Sequence, residues 1–125
     1  MIYGIGTDIA AVERLRCMWE RHGDRALAKL LAPEEFADFA RAVDKGRFLA
    51  KRFAAKEALG KALGIGVAKP ATLPNIAIVH DTLGKPSFDY SPDLAQFLTE
   101  RGLSAHLSIS DEQDFALAFV VLERA

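Results

Sequence analysis

The chemistry that this sequence offers most plainly rests on three side chains. Asp8 follows a glycine-rich apolar run, Ile2-Tyr3-Gly4-Ile5-Gly6-Thr7, while Glu57 and Lys61 stand one helical turn apart in the stretch from Arg52 to Gly66. Two carboxylates with few soft ligands near them suit a divalent cation such as Mg²⁺, which takes one or two carboxylates and completes its shell with water and phosphate oxygens. An ammonium beside them suits an anionic substrate. His106, Ser108 and Ser110 form a third polar group on another segment. Each member also has a plain structural reading. Asp8 is equally a candidate N-cap for the helix that follows it, and Glu57 with Lys61 is equally an ordinary i,i+4 surface pair contributing about 0.2–0.5 kcal/mol.

Other chemistries fail on spacing. Gly60-Lys61 suggests a phosphate loop, but that motif needs a glycine five residues earlier and a Ser or Thr next, where this chain has Ala55 and Ala62. The three histidines, His22, His80 and His106, lack the close pairing of zinc ligands, and Cys17 is the only cysteine. No nucleophile elbow surrounds Ser108 or Ser110, so a hydrolase triad with His106 and Asp111 is rejected.

The elements that must position these residues follow from periodicity. Residues 2 to 9 read as a strand that places Gly4, Gly6 and Asp8 on one face, with Asp8 at its end. Val12, Leu15, Met18 and Trp19 mark a helix with Arg14 and Met18 on a neighbouring, more exposed stripe. A short helix through Leu27 and Leu31 follows, then one opened by Pro33-Glu34-Glu35. A long central helix runs from about Arg47 to Gly64. On it Phe48, Ala55, Leu59, Ala62 and Leu63 form an apolar arc, and Phe53, Glu57, Gly60, Lys61 and Gly64 the opposite one. Glycine costs about 1 kcal/mol relative to alanine inside a helix, so Gly60 and Gly64 read either as clearing a floor for a charged ligand or, for Gly64, as the plain end of the helix. Ile76 to Asp81 and Ser87 to Tyr90 read as a hairpin, Ser91-Pro92 opens another helix, and Ala105 to Asp111 with Phe115 to Leu122 form a second hairpin whose last strand is central. This order implies an α+β fold with an antiparallel sheet and a long central helix, one domain over residues 1–125.

A chain of 125 residues is long enough for one core. Its net charge of −1 argues against nucleic acid as a partner, since polyanion binding draws on a surplus of Lys and Arg. The single cysteine is expected to be a buried small hydrophobe in a reducing compartment. With no secretory pattern at Met1 and no apolar run of membrane length, the expectation is a soluble cytoplasmic protein with no membrane partner.

Four stretches together carry a family resemblance. Gly4 to Ile9 with Glu13-Arg14, Arg52 to Gly64, Leu83-Gly84-Lys85-Pro86, and His106 to Glu112 resemble, in order and spacing, holo-acyl-carrier-protein synthase, the small bacterial type of 4′-phosphopantetheinyl transferase. The resemblance implies that fold, a Mg²⁺-dependent transfer of phosphopantetheine from coenzyme A to a serine of apo acyl carrier protein, and a homotrimer with sites between subunits. It implies Asp8 and Glu57 as metal ligands and Lys61 facing the pyrophosphate. The serine's proton then goes to Glu57, to a metal-bound water or to His106, among which sequence does not choose. By the same resemblance Arg52, Gly84, Lys85, Pro86, His106 and Ser108 hold the nucleotide part of coenzyme A, and Arg14 with Met18 docks the acidic carrier protein. The alternative is an inactive homologue that only binds coenzyme A or a carrier protein.

Overall fold

In the computed structural model, which describes residues 1–125, strand β1 (Ile2–Ala11) turns Gly4, Gly6, Asp8 and Ala10 toward the longest helix, α4 (Lys45–Leu63). The two glycines are there for distance. A Cβ on Gly4 would lie 2.2 Å from the carbonyl oxygen of Ala62, and one on Gly6 would lie 2.0 Å from that of Ala58. Strand and helix therefore touch backbone to backbone, and the alanines at 58 and 62 match the glycines from the other side.

Between them come α1 (Val12–His22), α2 (Asp24–Leu30), a 3₁₀ turn (Pro33–Glu35) and α3 (Phe36–Arg41). After α4 a second 3₁₀ turn (Leu73–Asn75) leads to the hairpin β2 (Ile76–His80) and β3 (Pro86–Tyr90), helix α5 (Pro92–Glu100), and the hairpin β4 (Leu103–Asp111) and β5 (Phe115–Arg124). The main sheet is antiparallel in the order β1-β5-β4, with Asp8 opposite Ala118 and Ser108 opposite Phe119. The central place of β5 agrees with its apolar sequence. The β2–β3 hairpin forms a separate two-stranded ribbon. Side chains occupy the other edge of β2: Ile78 N–H donates to Glu35 and its carbonyl accepts from Arg52.

Alternate residues of β5, Ala116, Ala118, Val120 and Leu122, are fully buried against α4. The opposite face of the same sheet is left open, with Tyr3, Ile5 and Ile9 of β1 beside Phe115, Leu117 and Phe119 of β5, and Ile9 is 61% exposed. The glycine-lined face is covered by α4 of the same chain. The aliphatic and aromatic face is the uncovered one.

Helix α4 departs from the two-arc reading. It is enclosed on nearly every side, with Leu49, Ala50, Ala54, Ala55, Ala58, Leu59, Ala62 and Leu63 all buried. Asp44 caps its start by accepting from Arg47 N–H at 3.0 Å, and Gly64, at φ +82°, closes its end in the left-handed conformation. Gly64 is thus a helix stop, and Gly60 does not clear a ligand floor. A Cβ there would lie 2.5 Å from the carbonyl oxygen of Gly66, so Gly60 admits the returning loop instead. Cys17 also departs from expectation, since it is exposed on α1 with its thiol toward Glu13. The amphipathic turn of α1 places it outside the Val12–Leu15 core stripe.

Three charged groups lie in the interior. Lys56, fully buried, spends its three donors on Leu30 O (2.7 Å), Glu35 Oε1 (2.5 Å) and Leu73 O (3.1 Å). Glu35 also accepts from Ala32 N–H (2.9 Å), Ile78 N–H (3.0 Å) and Arg52 Nη1 (2.8 Å). Burial alone would raise the Glu35 carboxyl, but the Lys56 ammonium and the backbone donors pull it below its usual value. This cluster ties α4 to the end of α2, to both 3₁₀ turns and to β2. A buried charge is tolerated only with such complete pairing. No helix of the protein is long and apolar enough to cross a membrane.

Two outcomes follow from this packing. Gly6→Ala should destabilise the protein by about 3 kcal/mol in urea unfolding, at the upper end of overpacking effects because backbone on both sides resists the shift; a loss under about 0.5 kcal/mol would mean that α4 can retreat. The lowered Glu35 pKa makes its contribution complete above the ordinary carboxylate value, about 4.3, and lost as pH falls through the lower native value. Replacing Glu35 and Lys56 together by Gln and Met should therefore flatten the decline of unfolding free energy below about pH 4.3, and a slope as steep as the parent's would contradict the assignment.

Candidate functional site

Asp8 lies within β1, three residues before its last one, because the strand continues to Ala11; it caps no helix, for α1 starts on Ala11 with no side-chain cap. Its carboxylate, with 16% of the side chain exposed, meets Lys61 from α4 (Nζ to Oδ1, 3.1 Å), and the same ammonium donates to Thr7 O at 3.0 Å. Glu57, one turn before Lys61, is half-buried in the same neighbourhood. Its carboxyl is raised above the usual range, first by burial and then by the charge of Asp8, with Lys61 and Arg14 partly offsetting. Residues 49 positions apart in sequence thus share one electrostatic site, joined by the glycine-permitted contact of β1 with α4.

Two neighbouring carboxylates raise each other's energy unless a cation intervenes. Nowhere in the chain do three or more His, Cys, Asp or Glu side chains gather into a metal-binding group. Asp8 and Glu57 therefore offer hard oxygen donors but an incomplete shell. That donor set fits Mg²⁺, with water and substrate oxygens left to fill the remaining positions, and does not fit zinc.

Beyond Glu57 stands α1, which packs along α4. Arg14 lies over the Phe53 ring at 5.4 Å, and Met18 packs half-buried beside the core. The groove next to Met18, of about 320 Å³, continues onto α2 with His22, Arg25 and Lys29 on its walls. Sequence reading singled out Arg14 and Met18 but missed Arg25 and Lys29, because the break at Gly23-Asp24 hides that the two helices present one basic strip.

Toward the other end of α4 a cavity of about 260 Å³ opens between α4, the α3–α4 connection, β2 and β4. Phe48 and Ile109 give it apolar walls, His80 a polar one, and Arg47, Lys51 and Arg52 cationic ones, partly balanced by Asp44 and by the Asp111 carboxylate that pairs with Arg47 and Lys51. The His80 imidazole is held below its usual pKa, by burial first and then by Arg52 and Lys51. Arg52, buried, stacks on Phe48 at 4.5 Å and sends Nη1 to Glu35 and to Ile78 O. Arg47, Lys51 and His80 were not singled out from sequence. Their i,i+4 spacing on α4, 47 and 51, was the available signal.

Gly84 (φ +88°), Lys85 and Pro86 form the exposed tip of the β2–β3 hairpin, where Asp81 accepts from Lys85 N–H at 2.9 Å. Pro86 stands opposite His80, so the tip adjoins the cavity without lining it. His106 and Ser108 are on the open face of the sheet, away from Asp8 and Glu57, and His106 pairs with Glu123 at 2.8 Å. Within one chain, then, Asp8, Glu57 and Lys61 come together, Arg52 lies farther along α4 at the cavity, and His106 and Ser108 do not join either group.

Comparison with known proteins adds the following. A family model described as the 4′-phosphopantetheinyl transferase superfamily matches residues 4–120. A protein of Dechloromonas aromatica named holo-acyl-carrier-protein synthase is 67% identical over 125 residues, all of both chains. The crystal structure of the holo-acyl-carrier-protein synthase of Neisseria meningitidis superposes with a TM-score of 0.95 at 48% identity, covering 99% of this chain and 100% of that one. A holo-acyl-carrier-protein synthase from Bacillus anthracis, solved in complex with coenzyme A (3′,5′-ADP), superposes at 0.83 with 35% identity, over 100% and 99% of the chains.

Proposed function

The chain belongs to the 4′-phosphopantetheinyl transferase superfamily, and we propose from that premise that it is a holo-acyl-carrier-protein synthase. It transfers the 4′-phosphopantetheine of coenzyme A to a serine of apo acyl carrier protein and releases adenosine 3′,5′-bisphosphate. The observation that carries the reading is the meeting of Asp8, Glu57 and Lys61 on either side of the β1–α4 contact, between a basic groove and a cationic cavity.

Each part of the reaction has a group in the chain to serve it. The serine oxygen attacks the β-phosphorus of coenzyme A, the bond from that phosphorus to the bridging oxygen breaks, and the bisphosphate leaves with the electron pair. Asp8 and Glu57 would hold Mg²⁺, which supplies neutralisation of the charge that builds on the pyrophosphate oxygens. Lys61, 52% exposed at its side chain, gives a second positive charge to the same oxygens. The serine proton passes to a base, for which Glu57 and, from a neighbouring chain, His106 are the candidates by side-chain type and place.

The nucleotide half of coenzyme A is assigned to the cavity by Phe48, where an aromatic ring and an aliphatic wall suit a purine and Arg47, Lys51 and Arg52 suit its phosphates. Lys85, at the adjoining hairpin tip, adds a point charge. The carrier protein is acidic in this reaction class, and the Arg14, Met18, Arg25 and Lys29 strip matches it in sign while Met18 adapts to its apolar contacts. The open sheet face of Ile5, Ile9, Leu117 and Phe119 is the surface of a homotrimer, since an apolar patch of that kind is costly in water. In such an assembly a neighbour's His106 and Ser108, which lie on that face, complete the site that one chain leaves open.

Incubating apo acyl carrier protein with coenzyme A, Mg²⁺ and this enzyme should add the mass of one phosphopantetheine. Asp8→Ala and Glu57→Ala should each lower the rate by about 10³-fold or more, as loss of a charge-stabilising contact does, with melting temperatures near the parent's. Full transfer by both variants in chelator-treated buffer would rule out the metal assignment.

A further inference from the structure

Arg52 is placed at the nucleotide cavity by a residue that never reaches it. A guanidinium has five donors in a rigid fork, and here the fork is split. Nη1 is consumed by Glu35 Oε2 at 2.8 Å and Ile78 O at 2.6 Å, while Nε and Nη2 make no hydrogen bond, Nη2 lying 3.8 Å from Asp38 Oδ2. No fully buried side-chain nitrogen in the protein lacks a partner, and Arg52 lines the cavity, so the Nε–Nη2 edge is the part of the fork left at the surface, with the Asp38 carboxylate beside it. Phe48 covers one face of the plane. Held at one end and covered on one side, the guanidinium has a single edge to offer an anion.

Glu35 is itself immobilised from four directions. Its other oxygen takes Lys56 and Ala32 N–H, and both carboxylate oxygens are thereby fixed against α4 and the 3₁₀ turn. We propose that Glu35 is a positioning residue for coenzyme A: together with Ile78 O it anchors Nη1 of Arg52 and so aims the Nε–Nη2 edge at a phosphate of the nucleotide half. Lys56 serves to keep the carboxylate ionised and in place, so the buried cluster is part of the substrate site as well as part of the core. This rests on the assignment of coenzyme A to that cavity.

The test compares binding of adenosine 3′,5′-bisphosphate by calorimetry with steady-state kinetics of transfer. Because Glu35→Gln alone leaves Lys56 buried without its counter-charge, the deciding variant is Glu35→Gln with Lys56→Met, which removes both charges and keeps side-chain volume. It should bind the bisphosphate about tenfold more weakly, with KM for coenzyme A raised in step and kcat within about twofold, the pattern of lost ground-state positioning. In an Arg52→Gln background the same pair of changes should add no further loss of binding, because Glu35 acts only through Arg52. Unchanged affinity in the folded double variant, or an equal loss with and without Arg52, overturns the proposal. Failure of the parent protein to bind the bisphosphate would instead overturn the assignment of the cavity.

Discussion

Everything in this molecule that resembles a catalytic site depends on how closely α4 can approach β1. Without Cβ atoms at Gly4 and Gly6 the carbonyls of Ala58 and Ala62 sit where side chains would otherwise be. The approach brings the Asp8 carboxylate to the Lys61 ammonium at 3.1 Å and puts Glu57 within its electrostatic reach. A strand and a helix at ordinary spacing would leave those groups apart. The glycines therefore act on chemistry through geometry, and the conformational freedom they have in the unfolded chain is a cost set against that closeness.

The same helix explains how a protein of net charge −1 can handle two polyanionic substrates. Its cations are sorted by place. Lys56 and Arg52 are drawn inside and fixed by Glu35, Arg47 and Lys51 face the cavity, and Arg25 and Lys29 border the groove on the far side, with Arg14 on α1 nearby. The carboxylates at 8 and 57 stand between the two basic regions. Because α4 is enclosed on nearly all sides, a substrate drawn to either region meets a rigid helix, and its reacting atoms are located relative to a frame that does not adjust. The open apolar face of the sheet lies on the other side of β5 from that helix, so assembly can proceed without disturbing the contact that builds the site.

Much of this was legible in the sequence, for reasons specific to each element. Alternation in β1 put Gly4, Gly6 and Asp8 on one face, the apolar run of β5 marked a central strand, and the Ser91-Pro92 start of α5 held. The misreadings share a cause, which is that periodicity reports the face a residue occupies but not what lies opposite. Gly60 faces its own returning loop and no ligand, and Gly4 and Gly6 face α4 of the same chain. Glu35 read only as a helix-start acid and Lys56 was not singled out, because nothing local tells that both are buried. His106 and Ser108, which the resemblance assigns to the nucleotide, lie on the open face of the sheet, and it is the register with β5 that separates them from Asp8 within one chain.

The central claim is that Asp8 and Glu57 grip one divalent ion against the pyrophosphate of coenzyme A. Its most direct measurement is a crystal structure of the protein with Mn²⁺ and coenzyme A, using anomalous scattering to locate the metal. The account predicts one strong anomalous peak within about 2.5 Å of a carboxylate oxygen of each residue and of pyrophosphate oxygens. A metal bound elsewhere, or coenzyme A seated with its pyrophosphate away from Asp8 and Glu57, would contradict it.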